Sequence, residues 1–530
     1  MTENVLPEGE RVLGRDAQRN NILAARVVSE TVKTTLGPRG MDKMLVDRAG
    51  NVVVTNDGVT ILDEMEIEHP AAKMVVEIAK TQEKEVGDGT TTAVMLAGKF
   101  LENAERLLDM KIHPTIIVRG YRWAEAKAQE VLRELSLEIK SREELVKIAQ
   151  TAMTGKGVEY LREKFGEIIV DAVDVVAEGK EVDLTDIRIE KQKGGAIDES
   201  RLIRGIVIDK ESINLDMPVA VENAKIALIE EALEVRTPEM DARISVSTPE
   251  QLTNFLGSED AILKEKVDLI IKSGANVVFV QKGVDELVQH YLAREGIYAV
   301  RRVPRSDMQS LAKATDGKII SKLSEISSGD LGSSESVEER KDGEDGMTYV
   351  MGCSNPRAIT ILIKGGTEHV LDEVERALED ALGDVAAVVR DSSVVSGGGA
   401  VEVELSKRLR EYAKSLSGRE RLAVEEFASA FDFIPTTLAE NAGMDPIDVM
   451  TELRASHDAG NRDAGLNLFS GNVEDNLVNG IIEPLRVKTQ AIASASEVAI
   501  MILRIDDVVA AKKSVGNSAK NGLGSMSGYD

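Results

Sequence analysis

The stretch Gly87-Asp88-Gly89-Thr90-Thr91-Thr92 runs straight into AVMLAGKFLENAERLL at 93–108, a Gly/Thr turn that opens a helical pattern. The first backbone N–H groups of a helix are unpaired and carry the positive end of its dipole, so such a turn binds phosphate well. The threonine hydroxyls add donors. Asp88 would repel a bare phosphate. It suits a phosphate that arrives with Mg²⁺, because that ion takes carboxylate and phosphate oxygens together. The competing reading makes Asp88 or a threonine a plain helix N-cap, and on pattern alone the two stand level. The stretch is not a Walker A loop, which ends in Gly-Lys-Ser/Thr.

Other segments have the composition of a ligand site, although each has a plainer reading. Thr35-Leu36-Gly37-Pro38-Arg39-Gly40-Met41-Asp42-Lys43 carries glycines that let backbone approach a ligand; alone it reads as a helix C-cap and turn. Thr55-Asn56-Asp57-Gly58-Val59-Thr60 offers Asp57 to orient a water, but by itself it reads as a hairpin turn. Asp380, in Leu378-Glu379-Asp380-Ala381-Leu382, is one of several acids on a helix, with Asp384 and Asp391 nearby. Gly397-Gly398-Gly399 is a hinge or a close approach. Thr154-Gly155-Lys156-Gly157 puts a lysine on a phosphate or on a surface turn.

Composition narrows the function classes. The chain has 530 residues and a formal net charge of -27. That length suggests about three domains and a large core. A net negative surface disfavours broad nucleic-acid binding. Aromatic residues are 3% of the chain, too few for stacking platforms, and the single Cys353 excludes a disulfide framework or cysteine-rich metal site within one chain. The five histidines are scattered. No signal-peptide pattern stands at the start, and apolar tracts such as 498–503 fall well short of the roughly 20 residues that span a bilayer. A cytoplasmic protein is expected.

Apolar periodicity predicts helices over 16–35, 70–82, 90–108 and 114–135, with Pro114 at a helix start. A β-branched run at 51–55 ends at Asn56-Asp57-Gly58, read as a tight turn. From 183 onward strands alternate with helices, as in an α/β layer domain. Residues 246–272 have helical spacing with exposed-looking Leu252, Phe255 and Leu256, and 327–346 is Ser-, Gly- and acid-rich and reads as an exposed loop. A strand at 358–363, the pair Gly365-Gly366 and a helix over 368–389 follow. The chain to about 509 is mostly helical, and 512–530 reads as disordered.

Taken together and in order, TLGPRGMDKM at 35–44, TNDGVTIL at 55–62, VGDGTTT at 86–92, the Asp380 helix and the Gly397–Gly399 triplet resemble the chaperonin family. HPTIIVRGY at 113–121, Thr154-Gly155-Lys156 and GIIEPLRVKTQAI at 480–492 make the likeness one to group II chaperonins of the archaeal thermosome type, over residues 13–509. The resemblance implies a multidomain α+β fold in three domains. A mainly helical equatorial ATPase domain would come from residues 1–140 and 398–530, and a small intermediate domain from 141–208 and 361–397. An α/β apical domain at 209–360 would bind unfolded protein, with 246–272 as a helical protrusion serving as a built-in lid. The implied function is ATP-dependent protein folding in a stacked double ring of like or sister subunits, with no nucleic-acid or membrane partner.

The resemblance also assigns roles residue by residue. Asp88 would ligate Mg²⁺. Gly87, Gly89, Thr90, Thr91 and Thr92 would cradle the phosphates. Leu36, Gly37 and Pro38 would line the nucleotide, with Gly398 against it and Glu483 near the ribose. Asp57 and Asp380 would position and activate water at the γ-phosphate, and Lys156 would contact phosphate after closure. ATP and Mg²⁺ are the implied cofactors, with K⁺ as a further cation to which no residue is assigned. The tail GLGSMSGYD departs from the family's Gly-Gly-Met repeats. A non-hydrolysing holdase or scaffold and a small-molecule kinase are the competing functions.

Overall fold

The computed structural model describes residues 11–139, 141–235, 249–341, 346–355 and 357–509, without the side chains at 11–13 and 249–256. The segment 512–530, expected to be disordered, and the side chains of Leu252, Phe255 and Leu256 lie outside the described residues.

Helices Gly14–Lys33, Pro70–Val86, Thr90–Asp109 and Pro114–Leu135 share one apolar core with Ala400–Ser415, Glu420–Ala430 and Leu485–Leu503. Pro70 and Pro114 each stand at the first helical position, where a missing N–H costs nothing. His69 and His113 cap these two helices by accepting from Ala71 N and Thr115 N. At the centre Phe100 stacks on Phe427 with ring centroids 4.1 Å apart, and Phe431 meets Phe100 edge-on. The two ends of the described chain also pair directly, Arg11–Leu13 running antiparallel to Asp507–Val509.

A second core lies between helices Arg142–Ala152, Arg162–Val176 and Glu368–Asp391 and a three-stranded sheet. In that sheet Ile359–Gly365 is central, parallel to Ile187–Lys193 and antiparallel to Arg201–Ile203. Beyond it a seven-stranded mixed sheet carries apolar layers on both faces. Its strand Ala220–Ile229 shows the two-residue period of a strand buried on both sides: Ala224, Ile226 and Leu228 enter one layer, Ala227 and Ile229 the other. Helix Arg305–Thr315 covers the first layer, and Pro249–Ser273 and Glu286–Arg294 the second.

Two sequence expectations are corrected. Asn56-Asp57-Gly58 is not a hairpin turn. The strand Val52–Thr55 pairs with Lys43–Val46 before it, and Asp57 then caps helix Gly58–Glu64 by accepting from Val59 N and Thr60 N. Nor is the polar segment 327–346 an exposed loop over residues 332–341. Its residues Gly332–Lys341 form an inner strand between Ala220–Ile229 and Gly346–Cys353. Small residues make this possible, since a Cβ on Gly332 would lie 2.1 Å from Thr315 Oγ1.

Candidate functional site

Helix Pro70–Val86 ends at Gly87 in the left-handed region, φ 97°, which an L side chain resists. The chain turns at Asp88, and Gly89 (φ 80°) stands at the N-cap of helix Thr90–Asp109 without a side-chain cap. Asp88 is therefore not the plain N-cap of the competing reading, although its Oδ1 accepts from Gly89 N at 2.7 Å. The leading N–H groups of the helix are left without a side-chain acceptor. Buried Gln82 fixes the turn from behind, donating to Asp88 O at 2.8 Å and Val487 O at 3.2 Å.

Other loops close on this turn. Asp57 receives the Thr90 hydroxyl at 3.4 Å. A Cβ on Gly58 would lie 2.7 Å from Thr91 Oγ1, so glycine allows that approach. Asn441 donates to Leu36 O at 2.9 Å, holding the Leu36-Gly37-Pro38 turn. Asn56 Nδ2 donates to Gly155 O at 2.9 Å, and a Cβ on Gly155 would meet Pro38 Cα at 2.7 Å. Gly398 (φ 66°) has Asn476 Nδ2 and Leu466 O against it, at 2.3 and 2.5 Å from where a Cβ would be. Gly399 begins helix Ala400–Ser415, again with no side-chain cap.

These groups surround a cavity of about 340 Å³. Leu36, Gly37, Pro38, Asp57, Asp88, Gly89, Thr90, Thr91, Thr92, Lys156, Asp380, Gly398 and Glu483 all line it. Gly87 is the exception among the anticipated residues. It lines an adjoining cleft of about 900 Å³, whose wall again includes Asp57 and Asp380.

The charges are unevenly matched. Lys156 Nζ donates to Asp380 Oδ2. Burial pushes the Asp380 carboxyl up to about 8; Lys156 opposes this, and Asp88 and Asp57 reinforce it. Burial works against the Lys156 ammonium, but Asp380 and Asp88 outweigh it and hold it charged. At the other end Lys488, 6% exposed, pairs with Glu402 at 2.9 Å and Glu483 at 2.6 Å. Burial raises the Glu483 carboxyl, and Lys488 opposes the shift.

The Asp380 helix reaches the site through a glycine contact. A Cβ on Gly383 would lie 2.7 Å from Val86 O and 3.1 Å from Gly87 Cα. Gly383→Val is therefore expected to push this helix off the loop. A displacement of about 1 Å costs reactivity on the order of 10²-fold, so turnover should fall by that factor while the far-UV spectrum stays native. Wild-type turnover in the variant would show that the contact is dispensable.

The arrangement can hold a polyphosphate on backbone donors and present two carboxylates to it from separate cores. The sequence profile of the TCP-1/cpn60 chaperonin family matches residues 28–513. The chain belongs to this chaperonin family. It is 59% identical over 516 residues to the thermosome subunit of Methanopyrus kandleri, covering 96% of this chain and 95% of that one. It is 56% identical to thermosome subunit beta of Archaeoglobus fulgidus, over 98% of both chains. Among solved structures it is similar to the open-state monomer of a group II chaperonin from Methanococcoides burtonii, with a TM-score of 0.61 and 48% identity over 79% of this chain and 100% of that one. This chaperonin is a group II subunit with a multidomain α+β fold, an ATP-dependent chaperone that hydrolyses ATP.

Sequence reading missed Gln82, Asn476, Lys488 and Asp384 as parts of this chaperonin site. Asp384 had a usable signal, four residues after Asp380 and so on the same helix face. Lys488 lay inside a quoted family segment. Gln82 and Asn476 act on backbone carbonyls and left no pattern.

Proposed function

We propose that the cavity binds ATP with its phosphates on the free N–H groups and hydroxyls at Thr90, Thr91 and Thr92. Gly87 and Gly89 shape the turn, and Leu36, Gly37, Pro38 and Gly398 pack along the nucleotide, with Glu483 near its ribose. Asp57 and Asp380 hold and activate the attacking water. The observation that carries this reading is the convergence of Asp57, from one apolar core, and Asp380, from another, on a helix N-terminus with no side-chain cap. Phosphoryl transfer is driven mainly by positioning and charge, so ordinary carboxylates suffice. Because Asp380 rides on a helix of the second core, hydrolysis depends on how that helix seats against the loop, and closure is coupled to turnover.

The donors at Asp88 fit Mg²⁺. They are hard oxygens in a carboxylate-rich wall, and one buried oxygen there, Asp384 Oδ1, has no hydrogen-bond partner. Among the described residues no three His, Cys, Asp or Glu side chains form a metal cluster of their own, so a cation at Asp88 shares its shell with phosphate. When bound, Mg²⁺ neutralises charge on the phosphates. K⁺ has no assigned residue. Lys156 moves from Asp380 to phosphate on closure, which leaves Asp380 free to take a proton from the water.

Lys156→Met tests the ion pair that precedes this move, through the pH dependence of kcat/KM, which reports the nucleotide-free site. Removing the ammonium removes the charge that holds the Asp380 carboxyl down. The ionised, proton-accepting form should then appear only at higher pH, with the acid limb of turnover moved up by about 1–3 pH units. An unmoved acid limb in a kcat/KM–pH profile would separate Lys156 from Asp380.

The subunit works in a stacked double ring in the cytoplasm, residues 246–272 contributing to a lid over unfolded protein. The domain division at 1–140, 141–208, 209–360, 361–397 and 398–530 is supported in outline by three groups of apolar cores, although Ile206 and Ile208 pack under the seven-stranded sheet, Ile359 in the second core and Val395 in the first. Light scattering with and without Mg-ATP tests the assembly. A particle many times the 57.4 kDa chain is expected, and a stable monomer in both conditions would remove the cage. The paired acids Asp57 and Asp380 disfavour a holdase that does not hydrolyse.

A further inference from the structure

Asp384 is a buried carboxylate for which neither the fold nor the proposed roles account. It is 3% exposed, lines the site cavity, and its Oδ1 has no hydrogen-bond partner. It sits one helical turn beyond Asp380 on the same face of Glu368–Asp391. The Gly383 contact with Val86 and Gly87 carries it to the loop that bears Asp88.

Burial aside, the strongest charges acting on it are Asp88, Asp380 and Glu483, all negative, and Lys156, which is positive. Lys156 already forms an ion pair with Asp380. A buried carboxyl with no cation of its own either holds its proton or is paired or bound to metal, and only the last two keep it charged. Asp384 therefore stands where a positive charge is missing, beside the residue read above as the metal ligand.

We propose that Asp384 is a second carboxylate for the divalent cation held at Asp88, so that the metal shell of this chain draws on two protein carboxylates. One or two carboxylates together with substrate phosphates is a usual Mg²⁺ environment. The inference rests on the Asp88 reading. It would give the helix of Asp380 a metal-dependent anchor: a cation held by Asp88 and Asp384 would keep Asp380, one turn before, seated against the phosphate loop. Asp384 is a positioning residue in this scheme and does not touch the reacting atoms.

The test uses the full-length assembled protein, with Mn²⁺ as the probe and ADP present, free Mn²⁺ being counted by electron paramagnetic resonance. Asp384→Asn keeps the shape and one acceptor oxygen but removes the charge. Loss of a group that supports a metal typically costs about 10–100-fold in affinity, and Mn²⁺ binding should weaken by at least the lower factor. ADP binding without metal should be unchanged, and the metal-free melting temperature should be no lower than that of wild type. Asp384→Ser, smaller and also neutral, should show the same Mn²⁺ loss and serves if the Asn variant folds poorly. Asp88→Asn is the reference. If it loses Mn²⁺ while Asp384→Asn does not, the second-carboxylate proposal is overturned and the Asp88 reading stands. If neither loses Mn²⁺, the Asp88 reading fails and the proposal fails with it. Equal weakening of ADP with and without metal would make Asp384 a nucleotide contact and also overturn the proposal.

Discussion

Asp57→Ala and Asp380→Ala are each expected to bind ATP and to lose turnover by about 10²–10⁴-fold, the range for removing a positioned acid or base. Neither carboxylate belongs to the backbone donors at Thr90–Thr92 that are proposed to hold the phosphates, so affinity should survive. Each alanine also carries a structural cost that must be separated from the chemistry. Asp57 caps helix Gly58–Glu64 through two backbone N–H groups, and loss of a cap costs about 0.5–2 kcal/mol. Asp57→Asn keeps a good cap and removes the charge, so it should reproduce the turnover loss without the loss of stability. Removing Asp380 leaves Lys156 buried without its ion-pair partner, which costs about 3–5 kcal/mol in buried pairs. Asp380→Asn with Lys156→Met relieves that charge and should be equally slow.

On the proposed roles the two acids act on one water, so the double variant should be little slower than either single one. Steady-state phosphate release alongside calorimetric ATP binding reads both quantities. Undiminished turnover in both single variants would contradict the assigned roles. Turnover lost together with ATP binding would instead make the carboxylates part of the binding wall.

The parts of the molecule that sequence made visible are those whose causes are local. Pro114 marks a helix start, and the helix it announces at 114–135 is the one formed. The run Gly87 to Thr92 announces a helix opening, and it opens at Thr90. Asn56-Asp57-Gly58 failed because the same three residues suit a hairpin and a helix cap. The choice is made by Val59, Ile61 and Leu62, which bury in the first core and draw the chain into a helix.

The strand Gly332–Lys341 failed for a related reason. Its Ser and Glu residues look solvated in sequence, yet the strand lies between two others and buries Gly332, Ser334 and Val337. The convergence at the site is the least legible part. Gly383 against Gly87, and Asn476 against Gly397, are contacts between segments far apart in the chain, and no local pattern encodes them. The order of several motifs, matched as a set, supplied what single motifs could not.

Deleting the outer part of the proposed lid should abolish client encapsulation and leave ATP turnover near wild type, provided the cut is placed correctly. The sequence segment 246–272 is too long to remove. Helix Pro249–Ser273 sends Leu263, Val267 and Ile270 into the layer beneath the seven-stranded sheet. Lys266 on the same helix donates to Ala232 O at 2.8 Å and Glu234 O at 3.0 Å. Truncating a buried Leu or Ile costs about 2–5 kcal/mol. Removing three apolar anchors at once would unfold this layer, and the loss of encapsulation would then say nothing about a lid. Residues 246–256 replaced by a short Gly/Ser link spare all three anchors. A client bound by that variant with ATP present should be digested by protease at the rate of free client, while the wild-type ring protects it. Leu263→Ala is the contrasting variant: it should lower the melting temperature and still protect the client below that temperature. Protection retained in the 246–256 deletion, with ATP turnover intact, would take the lid away from this segment and place closure elsewhere on the unit built on the seven-stranded sheet.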